Sequence, residues 1–299
     1  MLDDTNVLAI KTGMLYDQAT VQVIASTLKE HYREKPLVLV CDPVCISTSR
    51  HALLADSAVG PLIDEILPLT TLVTPNKSEA ELILSHKRNK ITISTLADMV
   101  SASKELLTFG PKAVLLKGGH VAATMTDVHE LLGADPAISV YKYGLLEENM
   151  NILQVGLGEK EQISQLVVDV LQDSSGSGGE VTTSLFIRPR IESTSTHGTG
   201  CTLSAAIVCG LASGLTSNSS SLFALVGTNH GPVPGAVRNG TIYTHLGILH
   251  AFPVGVGYGP LNHTHSVVSR FVPRCVGLQP GSQTFLNPPV GLTRTTDTL

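Results

Sequence analysis

The stretch Ala113-Val-Leu-Leu-Lys-Gly-Gly-His120 predicts a buried β-strand that ends in a lysine and two glycines. Because the strand is apolar at consecutive positions, both of its faces need a cover, which favours a parallel sheet with helices on both sides. Ligands of such sheets bind beyond the carboxyl ends of the strands. Lys117 lies at that end and is therefore a candidate ligand-binding residue.

The preceding sequence repeats this arrangement, since short apolar runs alternate with longer segments of helical periodicity. We predict strands at 7–10, 37–41, 71–74 and 113–117, and helices after residue 17, up to residue 67, at 78–84 and at 96–107. Asp42 follows the second strand, and Asn76 and Glu79 follow the third. We expect these side chains to converge with Lys117 at one edge of a mostly parallel α/β sheet.

A second glycine-containing stretch, Ser193-Thr-Ser-Thr-His-Gly-Thr-Gly-Cys201, leads directly into an apolar segment at 202–212. Gly198 and Gly200 permit positive φ and close backbone approach, so the N–H groups of a first helical turn can converge on a phosphate. Cys201 lies at the predicted helix N-terminus, where a thiol is biased toward the thiolate. An ordinary turn and helix cap with a small buried cysteine explains the same residues, so this stretch alone leaves both interpretations open.

Composition limits the class of protein. The 299 residues are enough for one α/β domain with an appendage or for two smaller domains. With 42% hydrophobic and 15% charged residues, the chain has the composition of a folded protein with a sizeable core. A net charge of −5 and the lack of a dense Lys/Arg cluster argue against nucleic acid as a partner.

The five cysteines are odd in number and lack paired C-x-x-C spacing, which indicates free thiols in a reducing compartment. The N-terminal sequence Met1-Leu-Asp-Asp-Thr-Asn6 has no features of a secretory signal, and no apolar run is long enough to span a bilayer. We therefore expect a cytoplasmic protein with no membrane partner.

The pattern is weaker in the rest of the chain. From His120 to Asn151 the alternation of predicted strands and helices is less regular. The apolar runs 166–171 and 184–187 predict a hairpin. From Thr216 the chain is rich in Ser, Asn, Gly and Pro, which predicts a linker and an irregular tail rather than a second core. We expect a main domain at 1–215, an insertion and the end of that domain at 216–265, and an irregular or disordered tail at 266–299.

Six motifs, in this order, resemble the hydroxymethylpyrimidine/phosphomethylpyrimidine kinases of thiamine biosynthesis. They are Lys11-x-Gly-Met-Leu15, Asp42-Pro-Val44, Thr74-Pro-Asn-x-x-Glu-Ala80, Val114-Leu-Leu-Lys-Gly-Gly-His120, Val168-Asp-Val-Leu171 and Ser195-Thr-His-Gly-Thr-Gly-Cys-Thr-Leu-Ser-Ala-Ala206. The resemblance implies a ribokinase-like α/β fold. It also implies phosphorylation of a pyrimidine alcohol and then of its monophosphate by Mg-ATP, and it allows a homodimer.

The resemblance assigns roles to single residues. It implies that Gly198, Thr199 and Gly200 form the anion hole for the transferred phosphoryl group and that Cys201 is the catalytic base. Lys117 would neutralise the nucleotide phosphates. It also implies that Asp42, Asn76 and Glu79 organise Mg²⁺ and its waters, with Asp42 and Glu79 as the metal-binding carboxylates. Met14 and Val44 would contact the pyrimidine.

Each of these residues also has a structural explanation. Lys117 could be a surface lysine at a strand end, and Asp42 a cap before Pro43. Asn76 and Glu79 could cap the following helix. A methionine and a valine are more often core residues than ligand contacts. His120 and His197 match motif positions, but they remain outside the predicted catalytic set because each could be a hydrogen-bonded turn histidine.

The sequence departs from the family at both ends. The glycine-rich segment with which the family normally begins does not precede Lys11, so we expect the first strand, the first helix and much of the pyrimidine-binding edge to be missing. The stretches Val237-Arg-Asn-Gly-Thr-Ile-Tyr243 and Gly257-Tyr-Gly-Pro-Leu-Asn-His-Thr-His265 resemble the end of the kinase domain in fungal members, and 216–235 is interpreted as an insertion.

These departures leave two alternatives to an active pyrimidine kinase. One is a non-catalytic fragment or pseudokinase that binds ATP without turnover. The other is a related vitamin kinase that acts on pyridoxine-like alcohols.

Overall fold

A seven-stranded sheet forms the centre of the described part of the chain. The computed structural model describes residues 7–31, 37–45, 53–88, 90–143, 165–176, 179–215, 232–255 and 257–265. The strands are β1 (Ala9–Thr12), β2 (Val38–Cys41), β3 (Leu72–Val73), β4 (Ala113–Leu116), β5 (Ser139–Lys142), β6 (Leu166–Asp173) and β7 (Thr182–Pro189). Their order in the sheet is β1-β2-β3-β4-β6-β7-β5. β6 pairs antiparallel with both of its neighbours, and the other pairings are parallel.

Helices cover both faces of this sheet. They are α1 (Gln18–His31), α2 (Asp56–Pro61), α3 (Lys77–Lys87), α4 (Leu96–Leu107), α5 (Met125–Ala134), α6 (Thr199–Leu215) and α7 (Pro232–Leu249). A π-helical turn at Leu62–Ile66 and a 3₁₀ turn at Leu67–Leu69 continue α2. In the described part of the chain, every helix is too short or too polar to cross a membrane.

Strand β4 shows why the sheet needs two layers of helices. All four of its residues are fully buried. Val114 and Leu116 belong to a core cluster with residues of α1 to α5, whereas Ala113 and Leu115 belong to a second cluster with residues of α6 and α7. The consecutive apolar positions therefore face opposite layers, and the predicted mostly parallel α/β sheet is confirmed.

The predicted elements up to residue 117 and the hairpin of β6 and β7 are confirmed, with ends shifted by a few residues. The region after His120 is more ordered than predicted, since it contains α5 and β5. Helix α5 begins with a capping box between Thr124 and Asp127, but only Val128 is fully buried on it. Met125, Leu131 and Leu132 are partly buried beside it, so α5 has an apolar face with helical spacing that could have predicted it.

Helix α7 contradicts the expected irregular chain after Thr216. The segment 216–231 lies outside the described residues, as does the predicted tail at 266–299, but Pro232–Leu249 form an 18-residue helix. Its two prolines, its glycines, its threonines and its asparagine have low helix propensity, so the sequence does not predict this helix. Packing stabilises the helix instead, because Val233, Ala236 and Val237 are buried in the cluster shared with α6.

Small residues allow α6 and α7 to approach each other closely. A Cβ atom added at Gly240 of α7 would lie 2.7 Å from Cγ1 of Ile207 in α6 and 3.4 Å from the carbonyl oxygen of Leu203. By contrast, no atom lies within 4 Å of a Cβ atom added at Gly235, five residues earlier in the same helix. The position of α7 on α6 therefore depends on the glycine at 240.

We expect Gly240→Ala to lower the free energy of unfolding by about 1–3 kcal/mol, because the new methyl group overlaps Ile207. Gly235→Ala is the matched control, and it should raise the same quantity by up to about 1 kcal/mol because alanine favours the helix. Urea denaturation followed by circular dichroism measures both. Equal effects of the two substitutions would contradict the close helix packing.

Candidate active site

The carboxyl ends of β1 to β4 lie at one edge of the sheet and bring the predicted polar residues together. Asp42 follows β2, Asn76 follows β3 by a short turn, and Lys117 follows β4. The backbone continues the parallel pairing beyond the strands, since Asn76 bridges to Lys117 and the Lys117 N–H donates to the Pro75 carbonyl at 2.9 Å. The register of the sheet thus sets the spacing of the site residues.

Asp42 is the central residue of this site and is only 1% exposed. Its Oδ1 accepts hydrogen bonds from Lys117 Nζ at 3.0 Å and from Thr74 Oγ1 at 3.3 Å. Its Oδ2 accepts a hydrogen bond from Ser204 Oγ in α6 at 3.0 Å and lies 3.7 Å from Lys11 Nζ. Burial opposes ionisation of Asp42, but the two lysines and Ser204 hold its pKa below the ordinary value, so the carboxylate is ionised.

Glu79 is a second buried carboxylate, and it also caps a helix. Its Oε2 accepts from the Asn76 N–H at 2.7 Å, and its own N–H donates to Asn76 Oδ1 at 3.0 Å, so the two residues form the capping box of α3. The predicted capping explanation is therefore confirmed for both. Glu79 Oε2 also lies 3.9 Å from Lys117 Nζ. Burial raises the pKa of Glu79 to about 7, although Lys117 acts in the opposite direction.

Lys117 is largely buried between the two carboxylates, and its side chain is 14% exposed. Burial alone would lower the pKa of its ammonium group, but Asp42 and Glu79 raise it above the ordinary value, so the group stays charged. The explanation of Lys117 as an exposed surface lysine is wrong. A buried cation paired with the ionised Asp42 is a fixed positive charge at the edge of the sheet.

Gly118 holds Lys117 in place by packing against the hairpin. A Cβ atom added at Gly118 would lie 2.0 Å from the Val168 carbonyl oxygen, so only glycine fits. Its N–H donates to Asp169 Oδ1 at 2.7 Å, and Asp169 forms a buried ion pair with Arg188 at 2.7 Å. The antiparallel strands β6 and β7 thus fix the backbone that carries the lysine.

The turn that begins α6 lies beside Lys117. Gly198 has φ of 81°, which favours glycine, and α6 starts at Thr199. The Thr199 N–H donates to the Thr196 carbonyl and the Thr202 N–H to the Gly198 carbonyl, so the N–H groups of Gly200 and Cys201 are the first-turn donors open to an anion. A Cβ atom added at Gly200 would lie 3.1 Å from Lys117 Nζ. Cys201 is exposed, so the alternative explanation of a small buried cysteine is wrong. The turn and the lysine together form a positive surface suited to an anion.

The segment before this turn is held by a loop from the C-terminal part of the described chain. The His197 N–H donates to the Gly259 carbonyl, and the Gly259 N–H donates to the Thr194 carbonyl, each at 3.1 Å. Gly259 also lies against Ser195, because an added Cβ atom would be 3.0 Å from Ser195 Oγ. The predicted anion-binding turn is therefore positioned from both sides.

The two predicted substrate contacts, Met14 and Val44, lie at the same edge of the sheet as the charged residues. Met14 follows β1 with 52% of its surface exposed, and Val44 follows β2 and is partly buried. Met14 is not a core residue, which removes the structural explanation for it. The structure places both residues beyond neighbouring strands, and the Val44 N–H donates to the Asp42 carbonyl at 2.8 Å.

Sequence reasoning assigned no role to Lys11 and Ser204, although both lie in the motifs that carry the resemblance. Parallel pairing of Lys11 with Val40 and of Thr12 with Cys41 places Lys11 near the carboxyl end of β2, where Asp42 begins the turn. A polar residue near the end of an otherwise apolar strand could have indicated Lys11. The contact of Ser204 with Asp42 depends on the packing of α6, and nothing in the local sequence indicates it.

Within the described residues, no three His, Cys, Asp or Glu side chains form a group that could hold a metal ion. Asp42 and Glu79 nevertheless supply two carboxylates near one lysine, and Mg²⁺ is commonly held by one or two carboxylates together with waters and substrate phosphates. The oxygen donors present therefore fit a magnesium ion completed by a ligand. A separate groove of about 580 Å³ near Lys104, Asp135 and Glu180 contains none of the predicted site residues.

The sequence matches the family model of phosphomethylpyrimidine kinase over residues 1–149 and 158–262. It is 30% identical over 264 residues to the hydroxymethylpyrimidine/phosphomethylpyrimidine kinase of Streptomyces coelicolor, covering 88% of this chain and 71% of that protein. The kinase of the same name from Rhizobium meliloti is 30% identical over 268 residues, with 89% and 74% covered. A thiamine biosynthesis bifunctional protein of Geobacter sulfurreducens is 30% identical over 263 residues, with 88% and 39% covered.

Solved structures show the same fold. The ADP complex of Bacillus subtilis pyridoxal kinase matches with a TM-score of 0.57 and 24% identity, covering 88% of this chain and 73% of that one. The Staphylococcus aureus pyridoxal kinase in complex with AMP-PCP and pyridoxal matches with a TM-score of 0.54 and 21% identity, covering 86% and 67%. These similarities confirm the ribokinase-like α/β architecture.

We expect Gly118→Ala to lower the free energy of unfolding by about 3 kcal/mol or more, because the methyl group would displace the Val168 carbonyl and the backbone of Lys117. Gly119→Ala is the matched control, since no atom lies within 4 Å of its added Cβ atom, and it should change stability by less than about 0.5 kcal/mol. Thermal and urea unfolding measure both. A well-folded Gly118→Ala protein of normal stability would refute the close contact.

Proposed function

Because the chain belongs to the phosphomethylpyrimidine kinase family, we propose that it transfers the γ-phosphoryl group of ATP to 4-amino-5-hydroxymethyl-2-methylpyrimidine and to its monophosphate. Both acceptors are those in the names of the bacterial relatives, and the bifunctional relative supports a place in thiamine biosynthesis. The observation that carries the proposal is the convergence of Lys117, Asp42 and the Gly198–Gly200 turn at one edge of the sheet.

The nucleotide phosphates would bind between the turn and the lysine. The N–H groups at the start of α6 and the Lys117 ammonium lie side by side, so both can face the oxygens of a γ-phosphate. Phosphoryl transfer depends on positioning and on neutralising charge more than on covalent chemistry. A rigid cation beside a helix N-terminus supplies both.

Asp42 and Glu79 would hold Mg²⁺ through its waters, with Asn76 fixing Glu79. When bound, the ion neutralises phosphate charge. The hydrogen bonds from Lys117, Thr74 and Ser204 keep Asp42 in one orientation. Burial of the two carboxylates limits their movement, so they present oxygens at fixed positions.

Cys201 is the proposed acceptor of the hydroxyl proton. In the first transfer the alcohol oxygen forms a bond to the γ-phosphorus, the bond from that phosphorus to ADP breaks, and the hydroxyl proton passes to the Cys201 thiolate, which becomes a thiol. Cys201 lies at the start of α6 next to Gly200 and is exposed, so an acceptor can reach it. Met14 and Val44 would contact the pyrimidine ring from the neighbouring strand ends.

We expect Cys201→Ala to lower kcat for phosphorylation of the pyrimidine alcohol by about 100-fold or more, because the proton acceptor is lost. Cys209→Ala is the matched control, since Cys209 is also exposed on α6 but lies away from the turn, and it should change kcat by less than about twofold. Mass spectrometry of the products with ATP and Mg²⁺ measures both variants.

A folded wild-type chain that phosphorylates neither pyrimidine acceptor would contradict the proposed function. ATP binding without turnover would then favour the pseudokinase alternative. Turnover of pyridoxine-like alcohols alone would favour the related vitamin kinase.

A further inference from the structure

Asp42 lies between two lysines, and the proposed function uses only one of them. Its Oδ1 receives Lys117 at 3.0 Å, and its Oδ2 faces Lys11 at 3.7 Å. The Lys11 side chain is 21% exposed, whereas that of Lys117 is 14% exposed. The site therefore contains a second ammonium group that is partly open to a ligand.

The two lysines lie on different sides of Asp42. Lys117 Nζ is next to Gly200 and the anion-binding turn. Lys11 Nζ is next to Gly13, where an added Cβ atom would lie 3.2 Å away, and Gly13 precedes the exposed Met14. Lys117 thus faces the donor phosphates, and Lys11 faces the segment proposed to contact the acceptor.

Lys11 is not needed to satisfy the carboxylate. Asp42 already accepts hydrogen bonds from Lys117, Thr74 and Ser204. At 3.7 Å, the Lys11 ammonium is an ion-pair partner beyond ordinary hydrogen-bond distance. Its three N–H donors can therefore bind an oxygen ligand while Asp42 holds the charge in place.

The two acceptors of the proposed reaction make different demands on the protein. In the first transfer a neutral hydroxyl group approaches the γ-phosphate, and its proton must be removed. In the second transfer a phosphate oxygen of the monophosphate forms the bond to the γ-phosphorus, and the bond from that phosphorus to ADP breaks. A dianionic phosphate has no proton to release, but it brings two more negative charges toward the nucleotide phosphates.

We propose that Lys11 binds the phosphate group of the monophosphate acceptor and thereby determines whether the second transfer takes place. This inference rests on the proposed function. A cation on the acceptor side offsets the repulsion between the two phosphate groups. Charge-assisted hydrogen bonds from an ammonium also orient the attacking oxygen. The pyrimidine alcohol carries no such group, so it gains less from Lys11.

The test compares Lys11→Met, Lys11→Arg and Lys104→Met with the wild-type chain on both acceptors, with ATP and Mg²⁺ saturating. We expect Lys11→Met to lower kcat/KM for the monophosphate about 10- to 100-fold more than kcat/KM for the alcohol, mainly through a higher KM. Lys11→Arg should retain most of the preference because it keeps the charge. Lys104→Met removes a lysine far from the site and should change neither rate.

Calorimetric titration gives an independent readout without turnover. The monophosphate should bind the wild-type chain more tightly than the alcohol does, and Lys11→Met should remove that difference. Thermal unfolding of each variant identifies loss of fold, in which case Lys11→Arg and the titrations of the wild-type chain still decide the result.

Equal losses for both acceptors in Lys11→Met would overturn the inference, because Lys11 would then act only by holding Asp42. Wild-type activity on the alcohol alone would also overturn it, while leaving the first step of the proposed function intact. A wild-type chain inactive on both acceptors would contradict the proposed function itself, and the inference with it.

Discussion

The buried ion pair between Asp42 and Lys117 is the interaction on which the site depends. Each charge alone would be strongly unfavourable in the protein interior, so each residue requires the other. The pair also joins separate elements, because Asp42 follows β2, Lys117 follows β4, and Ser204 of α6 and Thr74 complete the hydrogen bonds. Assembly of the sheet edge and assembly of the site are therefore the same event.

Glu79 shows how one side chain serves both the fold and the proposed chemistry. It caps α3 through Asn76 and lies within 3.9 Å of Lys117. The cap holds the Glu79 carboxylate in a buried position. Without the cap, a mobile side chain would turn toward solvent. Structural and functional explanations of Asn76 and Glu79 are therefore compatible, since the helix cap supplies the rigid oxygen donor that the proposed metal site needs.

Much of this site could be predicted from the sequence because Asp42, Asn76 and Lys117 each follow an apolar strand, and the end of such a strand is visible locally. Lys11 was not assigned because its proximity to Asp42 depends on the pairing of β1 with β2. Helix α7 was missed for a related reason. Its residues have low helix propensity, and only the surface of α6 makes that segment helical.

The hydrogen bonds that join Gly259 to Thr194 and His197 have a consequence for the synthesis of this chain on the ribosome. A ribosome that has just added Cys201 has made every charged residue of the cluster and the whole predicted anion-binding turn, but not the loop that holds the turn. The turn is therefore completed only after α7 and Gly259 have emerged. A chain that stops before Gly259 contains all the proposed catalytic residues and still lacks the bonds that position them.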